Sequence, residues 1–249
     1  MTNNTNGQIQ IIQGEGEDVL KALNAKGCSF FVKPDPSQKI LVSTSQLRWL
    51  TYKRENAGFC TREQEDAVRT IKHDADDTSI NHMNIKLLLY ADPRDLYKNP
   101  LKKREQTGNR SNEEKERELI RDVFEKLFQC GNVDVRYLKK DEEKQLRIEL
   151  RGRELFLSFS NKNNDGKQLK VHCGVSYTAN NDDDPLIRYY KKVFYDDFNK
   201  AKKLTYKNGK IKYADNFVSR AWTWIKSPTG IGILLGVAGL IVGLIGFLK

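Results

Sequence analysis

The sequence predicts an α/β protein, in which a layered mixed sheet is flanked by helices and one C-terminal transmembrane helix follows. Two observations predict this class. Short apolar runs alternate with amphipathic segments between residues 8 and 204, an order typical of layered α/β domains. Residues 231–248 form an uninterrupted apolar run. At about 1.5 Å of rise per residue this run gives about 27 Å of helix, close to the thickness of a hydrocarbon core.

The first half of the domain is predicted to contain four strands and two helices. A helix over 16–26 is expected to end at Gly27, a residue favoured just after helices. A second helix, reaching about His73, is expected to begin after Thr61, because Thr61 and Gln64 have capping-box spacing. Short apolar runs between turn residues predict the strands, which are expected at 8–12, 29–32, 39–43 and 85–90.

The second half is predicted to contain two more helices and four more strands. Ser111 and Glu114 form another capping box, before a helical apolar face that ends at Gly131. Asp184 is expected to cap the last helix, with Pro185 at its first position. The strands are expected at 133–138, 146–150, 154–159 and 169–177.

The composition divides the chain into four parts, which are a polar N-terminus that we expect to be disordered, the α/β domain, a basic juxtamembrane segment and the transmembrane helix. Their bounds are 1–7, 8–204, 205–228 and 229–248. Trp222 and Trp224 precede the apolar run, where aromatic rings favour the headgroup level, and Arg220 and Lys226 lie on the same side. By the positive-inside rule we expect a single-pass, tail-anchored protein with most of its chain in the cytoplasm. The alternative is a buried core helix of a soluble protein.

Glycines recur on one side of the predicted transmembrane helix. The spacing of four, three, four and three residues places them in one stripe, similar to a glycine zipper: Gly232, Gly236, Gly239, Gly243 and Gly246. Small residues on one stripe let two helix backbones approach closely, which predicts homo-oligomers. The alternative is that glycine is simply common in membrane helices.

Positive charge is concentrated before the apolar run. The formal net charge is +10, and residues 188–226 contain eleven cations against three anions. Beside a membrane anchor this excess predicts contact with anionic lipid, through Lys200, Lys202, Lys203, Lys207, Lys210, Lys212, Arg220 and Lys226. A nucleic-acid surface is the rival interpretation, because phosphates attract the same cations. A solvated helix face is the third.

The sequence predicts no cofactor and no metal. Its cysteines (Cys28, Cys60, Cys130 and Cys173) form no C-x-x-C pair and are expected to be reduced. Neither a phosphate-binding loop nor a G-x-S-x-G elbow is present. The acidic clusters 74–77 and 182–184 lack calcium-loop spacing, and a helix N-terminus explains the second.

The segments IKLLLYADP, VDVRYL, ELFLSFS, GVSYT and PLIRYYKKVFYDDFNKAKKL follow one another in an order that resembles the phospholipase D-like domain. The resemblance covers roughly 8–204 and is strongest to versions that serve as sensor domains in archaeal sugar-responsive regulators. It implies a ligand-sensing or partner-binding module. The signature of active members, H-x-K-x4-D, is absent, because the position two after each histidine (His73, His82 and His172) holds Ala75, Asn84 and Gly174.

If this topology is correct, an unknown small ligand should bind at the carboxyl ends of the central strands. The polar residues expected there are Ser43, Thr44, Ser45, Asp92, Arg94, Ser160 and Thr178. Ordinary turn and cap chemistry is the alternative explanation for them. Two other functions stay open: a membrane-bound phosphodiesterase or phospholipase with a displaced site, in which His82 or His172 meets a Lys and an Asp, and a membrane-attached nucleic-acid binder.

Overall fold

The computed structural model describes nine stretches of the chain: 7–14, 17–32, 35–45, 47–51, 61–77, 83–94, 112–139, 146–162 and 169–214. Its helices are α1 (Glu17–Cys28), α2 (Arg48–Thr51), α3 (Arg62–Asp76), α4 (Asn112–Gln129) and α5 (Pro185–Lys200). Its strands are β1 (Gln8–Gly14), β2 (Lys39–Thr44), β3 (Asn84–Leu89), β4 (Val133–Tyr137), β5 (Arg147–Arg151), β6 (Glu154–Lys162), β7 (Leu169–Thr178), β8 (Lys202–Lys207) and β9 (Lys210–Tyr213).

The described strands form one sheet in the order β1-β7-β6-β5-β2-β3-β4-β8-β9. The central strands β2, β3 and β4 are parallel. Antiparallel pairs extend the sheet on both sides, from β2 through β5, β6 and β7 to β1, and from β4 to β8. The predicted mixed sheet flanked by helices is therefore confirmed.

Helices cover the two faces of the sheet unequally. One face packs against α1, α3 and α4, through side chains such as Leu23, Ile71 and Phe124. The other face packs against α5, whose Ile187 and Phe198 join the buried cluster of that side. Because α5 is one helix on a nine-stranded sheet, part of this second face is left without a helix among the described residues.

Two predicted caps are confirmed. Thr61 and Gln64 make the capping box of α3, with the Gln64 amide donating to Thr61 Oγ1 over 3.2 Å. Asp184 caps α5, with Pro185 in its first turn. Ser111, of the other predicted box, lies outside the described residues.

The structure corrects the sequence prediction in two places near the N-terminus. Gly27 does not end the first helix, because α1 continues to Cys28. Residues 29–32 form turns in place of the predicted strand, and both Phe30 and Phe31 are buried there. Burial of two consecutive aromatic rings is incompatible with a strand that has only one buried face.

The sheet continues past residue 204, the predicted end of the α/β domain, into the predicted juxtamembrane segment. Strands β8 and β9 add a hairpin, and the first compact unit of the chain extends to Lys212, one residue before the end of β9. Among the described residues, no helix has both the length and the apolar character needed to cross a membrane. The predicted transmembrane helix, including its five glycines, lies beyond the part of the chain that the structure describes.

Candidate functional site

The predicted ligand residues after β2 and β3 lie together at an ordered turn, where the buried Ser43 Oγ has no hydrogen-bond partner among the described residues. Ser43 and Thr44 are buried at the end of β2, while Ser45 is exposed. The amide of Ala91 donates to the carbonyl of Ser45 over 3.0 Å, so the backbones stay paired beyond the strands. Asp92 accepts hydrogen bonds from the amide and Nε of Arg94, at 3.0 and 2.9 Å. These contacts are those of an ordered turn.

The remaining two predicted ligand residues lie at opposite edges of the sheet. Ser160 lies on β6, opposite His172, at the same edge as this turn and with β5 between it and β2. Thr178 of β7 is opposite Glu154 of β6, and Glu154 is opposite Arg151 of β5. Arg151 in turn pairs with Ile40, at the amino end of β2. Thr178 therefore lies at the other edge of the sheet, a correction to the predicted grouping, because β7 runs antiparallel to β6.

The displaced phosphodiesterase alternative names His82 and His172, and the structure describes only His172 of the two. His73 is exposed in the last turn of α3, and His82 is outside the described residues. His172 is buried on β7 between Ser160 and Gly14 of the neighbouring strands. Burial lowers the pKa of His172. In the described part of the chain, its Nδ1 has no hydrogen-bond partner.

A buried ion pair on β5 is a feature that sequence reasoning missed. Arg147 Nε donates to Glu149 Oε1 over 2.6 Å, and Glu149 has no exposed surface. The Arg147 guanidinium lies 3.7 Å from the centroid of the Trp49 ring. Burial raises the pKa of Glu149, and the neighbouring Arg147 charge partly opposes that rise. The alternating R-I-E-L-R sequence of the strand could have signalled one charged face.

The uncovered part of the second sheet face is strongly basic. Strand register places Lys86 beside Asp134, and Arg136 beside Lys203. The Phe198 ring of α5 is approached by two of these cations, with Lys86 Nζ 4.8 Å and Arg136 Cζ 4.3 Å from its centroid. Arg136 also donates to the Phe198 carbonyl over 3.1 Å. Cationic groups from adjacent strands therefore gather at the edge of α5.

The hairpin of β8 and β9 continues this basic surface. Asn208 and Gly209 have φ angles of 55° and 70°, the backbone of a two-residue type I′ turn, which pairs the residues on either side of it. Thr205 Oγ1 donates to the Lys212 carbonyl over 3.5 Å, in agreement with that register. Because side chains alternate along strands, one face of the hairpin holds Lys203, Lys207, Lys210 and Lys212, all exposed. We call this the lysine face.

The opposite side of the hairpin is apolar. Leu204 and Ile211 are buried, and the Tyr206 ring stacks on Phe128 of α4 with centroids 6.1 Å apart. This packing fixes the hairpin to the sheet and directs the lysine face away from α4.

The predicted lipid contacts divide into two groups. Six are exposed in the structure, namely Lys200, Lys202, Lys203, Lys207, Lys210 and Lys212. The other two, Arg220 and Lys226, fall outside the described ranges.

Two clefts open at the amino ends of the central strands. The larger, about 560 Å³, contains charges that are already paired, since Arg153 Nε lies 2.7 Å from Asp182 and Arg151 Nη2 lies 2.8 Å from Glu154. The smaller, about 290 Å³, is lined by Lys39, Lys86, Lys203 and Asp134, with Asn84 and Asn132. Across the residues that the structure describes, no group of His, Cys, Asp and Glu is arranged to hold a metal ion.

Comparison with known proteins gives only distant structural similarity. No protein-family model matches the chain, and no curated protein matches it. TrmBL2, an archaeal chromatin protein described with a novel mode of DNA binding, aligns with a TM-score of 0.40 and 14% identity, over 79% of this chain and 54% of its own.

Two bacterial proteins align at the same level. Nuc, a phospholipase D family member from Salmonella typhimurium, has a TM-score of 0.40 and 10% identity, over 81% of this chain and 100% of its own. Phosphatidylserine synthase from Haemophilus influenzae Rd KW20 has a TM-score of 0.39 and 12% identity, over 94% of this chain and 46% of its own. The chain thus spans about half the length of two of the three structures, and none is similar enough to assign a function.

Proposed function

We propose that this protein is a membrane-attached, non-catalytic binding module that presents its lysine face to anionic lipid headgroups. The observation that supports this function best is the one-sided hairpin, in which four exposed lysines share a face. The hairpin sequence, KKLTYKNGKIKY, contains no acidic residue to neutralise them. A basic residue at the surface of an anionic membrane contributes about 1 kcal/mol, within a Debye length of about 10 Å.

The sequence that follows the hairpin favours a membrane as the source of the anions. Strand β9 ends at Tyr213 and the apolar run 231–248 follows on the same chain. If this run is anchored as we expect, the short connection keeps the lysine face at a high effective concentration near the headgroups, so that weak contacts suffice.

The aromatic residues of the hairpin favour lipid over single-stranded nucleic acid. Proteins that bind single strands combine cations with exposed rings on which bases stack. Tyr206 lies on the side away from the lysines and packs on Phe128. The lysine face therefore offers charge without a stacking platform, as suits a headgroup layer.

The surroundings of His172 support the non-catalytic part of the proposal. A histidine nucleophile needs a partner that activates it and a group that binds the phosphate. The residues opposite His172 are Ser160 and Gly14, neither of which is ionisable. Together with the lost H-x-K-x4-D signature, this favours a phospholipase D-like module that senses a ligand or binds a partner.

Vesicle binding tests the proposal. A chain that ends after Ala214 keeps every described element and removes the predicted anchor. We expect it to sediment with vesicles of phosphatidylcholine and phosphatidylserine, and not with phosphatidylcholine alone. Replacing two lysines, Lys210→Gln with Lys212→Gln, should weaken binding roughly 5–25-fold at low salt, from about 1 kcal/mol per lysine at most.

The matched control is the pair Lys191→Gln and Lys192→Gln, which removes the same charge from α5. Equal weakening by both pairs would show that net charge, and not the lysine face, governs binding. Tighter binding to duplex or single-stranded DNA than to the anionic vesicles, lost in the hairpin variant, would replace the lipid proposal with the nucleic-acid alternative.

A further inference from the structure

The geometry points to a specific phosphate site in the cleft at the amino ends of β2, β3 and β4, where Lys39, Lys86 and Lys203 would bind a phosphate monoester. This inference rests on the proposed function as a ligand-binding module and names the ligand class of one site. The cleft is separate from the turn after β2 and β3, and it adjoins the lysine face through Lys203.

Strand order brings the cations together. Lys39 is the first residue of β2, Lys86 is near the start of β3, and Lys203 is on β8. In the sequence these residues are far apart, and they meet because β4 lies between β3 and β8 in the sheet. Arg136 of β4 completes the cluster, beside Lys203 in register. Asp134 is the carboxylate among the residues that line the cleft.

The single carboxylate is already engaged. Arg136 Nη2 donates to Asp134 Oδ2 over 3.1 Å and Arg136 Nη1 donates to the Phe198 carbonyl over 3.1 Å. Within the described ranges, Lys39, Lys86 and Lys203 form no ion pair with a carboxylate. Three ammonium groups thus face one cleft, while the guanidinium beside them neutralises the carboxylate.

Lys86 is the most constrained of the three lysines. It is half-buried, and its ammonium lies 4.8 Å from the centre of the Phe198 ring. Burial lowers the pKa of Lys86, Asp134 opposes that effect, and the positive charges of Lys39, Arg136 and Lys203 lower the pKa further. An anion in the cleft would relieve this repulsion, and a dianion would relieve more of it than a monoanion.

The size and chemistry of the cleft select the ligand class. Lysine binds phosphate as a point charge, without the planar geometry that arginine requires for a carboxylate. Asn84 and Asn132 at the rim offer amide donors. A volume of about 290 Å³ suits a compact group such as a phosphorylated headgroup or a small phosphorylated metabolite. Both sources share a terminal phosphate monoester.

Calorimetric titration of the full-length protein in neutral detergent tests the site, with inorganic pyrophosphate as the soluble probe. We expect saturable binding at one site, weakened about tenfold or more by Lys86→Met, which removes one charge-assisted hydrogen bond. Methionine keeps an apolar stem over the Phe198 ring. Lys192→Met is the matched control from the exposed side of α5 and should bind like the unaltered protein.

Lys39→Met guards against a misleading effect of Lys86→Met on folding, because Lys39 is exposed. It should also weaken pyrophosphate binding. Undiminished binding in both variants, or no binding by the unaltered protein, would overturn the site. Either result would leave vesicle binding by the lysine face unaffected, so the two proposals fail separately.

Phosphatidylcholine nanodiscs that also contain either phosphatidic acid or phosphatidylglycerol, in amounts that give equal surface charge, identify the source of the phosphate. Preference for phosphatidic acid that Lys86→Met abolishes would assign the site to a lipid monoester. Pyrophosphate binding without that preference would assign it to a soluble phosphorylated ligand. Both outcomes support a phosphate monoester site and differ only in its occupant.

Discussion

The guanidinium group of Arg147 lies in the space that a side chain at position 27 would fill, because Gly27 of α1 faces β5 directly. A Cβ atom on Gly27 would overlap Arg147 Nη2 and approach Glu149 Oε2 to 2.8 Å. The glycine therefore lets α1 lie close to the buried ion pair. Gly27 is therefore required by this packing inside α1, which ends one residue later at Cys28.

Gly27→Ala should destabilise the protein by about 1–3 kcal/mol, the usual cost of overpacking a core. In an exposed helix the same change would stabilise by roughly 0.5–1 kcal/mol, so the sign distinguishes close packing from helix propensity. Urea unfolding followed by circular dichroism measures the difference. Ala22→Gly, at an exposed position of the same helix, is the propensity control. A stabilising Gly27→Ala would contradict the close approach of Arg147.

Local sequence signals predicted the elements whose causes are local. The capping box of Thr61 and Gln64 and the Asp184-Pro185 start of the last helix are short-range patterns, and both are confirmed. The hairpin of β8 and β9 was missed although Asn208-Gly209 is a turn signal. Its strands bury few apolar residues, chiefly Leu204 and Ile211. Because lysines occupy most other positions, the sequence shows only a weak alternation of apolar and polar residues.

The candidate sites depend on strand order, which the sequence does not state. Lys39, Lys86 and Lys203 share a cleft only because β2, β3, β4 and β8, which are far apart in sequence, lie side by side in the sheet. Thr178 was predicted at the wrong edge for the same reason, since the direction of β7 decides where its end lies. The basic composition of 188–226 predicts an anion-binding surface, but it does not indicate on which side of the hairpin each lysine lies.

Asp184 should make a pH-dependent contribution to stability. Its Oδ2 accepts from the Tyr177 hydroxyl over 2.6 Å, and its Oδ1 accepts from the amides of Leu186 and Ile187. These hydrogen bonds, the Tyr177 bond first, lower the pKa of Asp184. A lowered folded-state pKa gives stability that is fully present above the unfolded value of about 3.9 and is lost as pH falls through the folded value.

Asp184→Ala should therefore cost about 1–2 kcal/mol near neutral pH, the usual value of a helix N-cap. The difference from the unaltered protein should shrink as the pH falls below about 4. Urea unfolding between pH 7 and pH 3 measures it. Asp183→Ala is the control, since that carboxylate is exposed and lies just before the cap. A difference that stays constant over this pH range would contradict the role of the ionised carboxylate.

We expect no phosphodiesterase turnover from the full-length protein. Buried His172 has neither a Lys nor an Asp as its cross-strand neighbour, and its lowered pKa reflects burial alone. The assay uses bis(p-nitrophenyl) phosphate, phosphatidylcholine and single-stranded DNA. Hydrolysis that disappears in His82→Ala or His172→Ala would promote the enzyme alternative. Hydrolysis that survives both changes would indicate a contaminating enzyme.

The apolar run 231–248 should make the protein integral to a membrane. Its length and lack of charge favour a spanning helix, which a high-pH wash does not release. Carbonate extraction of membranes from expressing cells, followed by immunoblotting, measures the distribution. We expect the full chain in the pellet and a chain ending after residue 228 in the supernatant. Release of the full chain would remove the membrane anchor from the proposed function, while the lysine face could still bind lipid reversibly.

The glycine stripe should drive self-association of the anchored chain. Gly236→Ile and Gly243→Ile place branched side chains where two backbones are expected to meet, and close approach is what stabilises small-residue helix pairs. Both changes should weaken oligomers in a membrane two-hybrid assay. Leu235→Ile and Leu244→Ile alter positions outside the stripe and exchange one large apolar side chain for another. These two changes should have little effect. Equal losses from the glycine and leucine variants would show that no single face mediates contact, and glycine would then be explained by its general abundance in membrane helices.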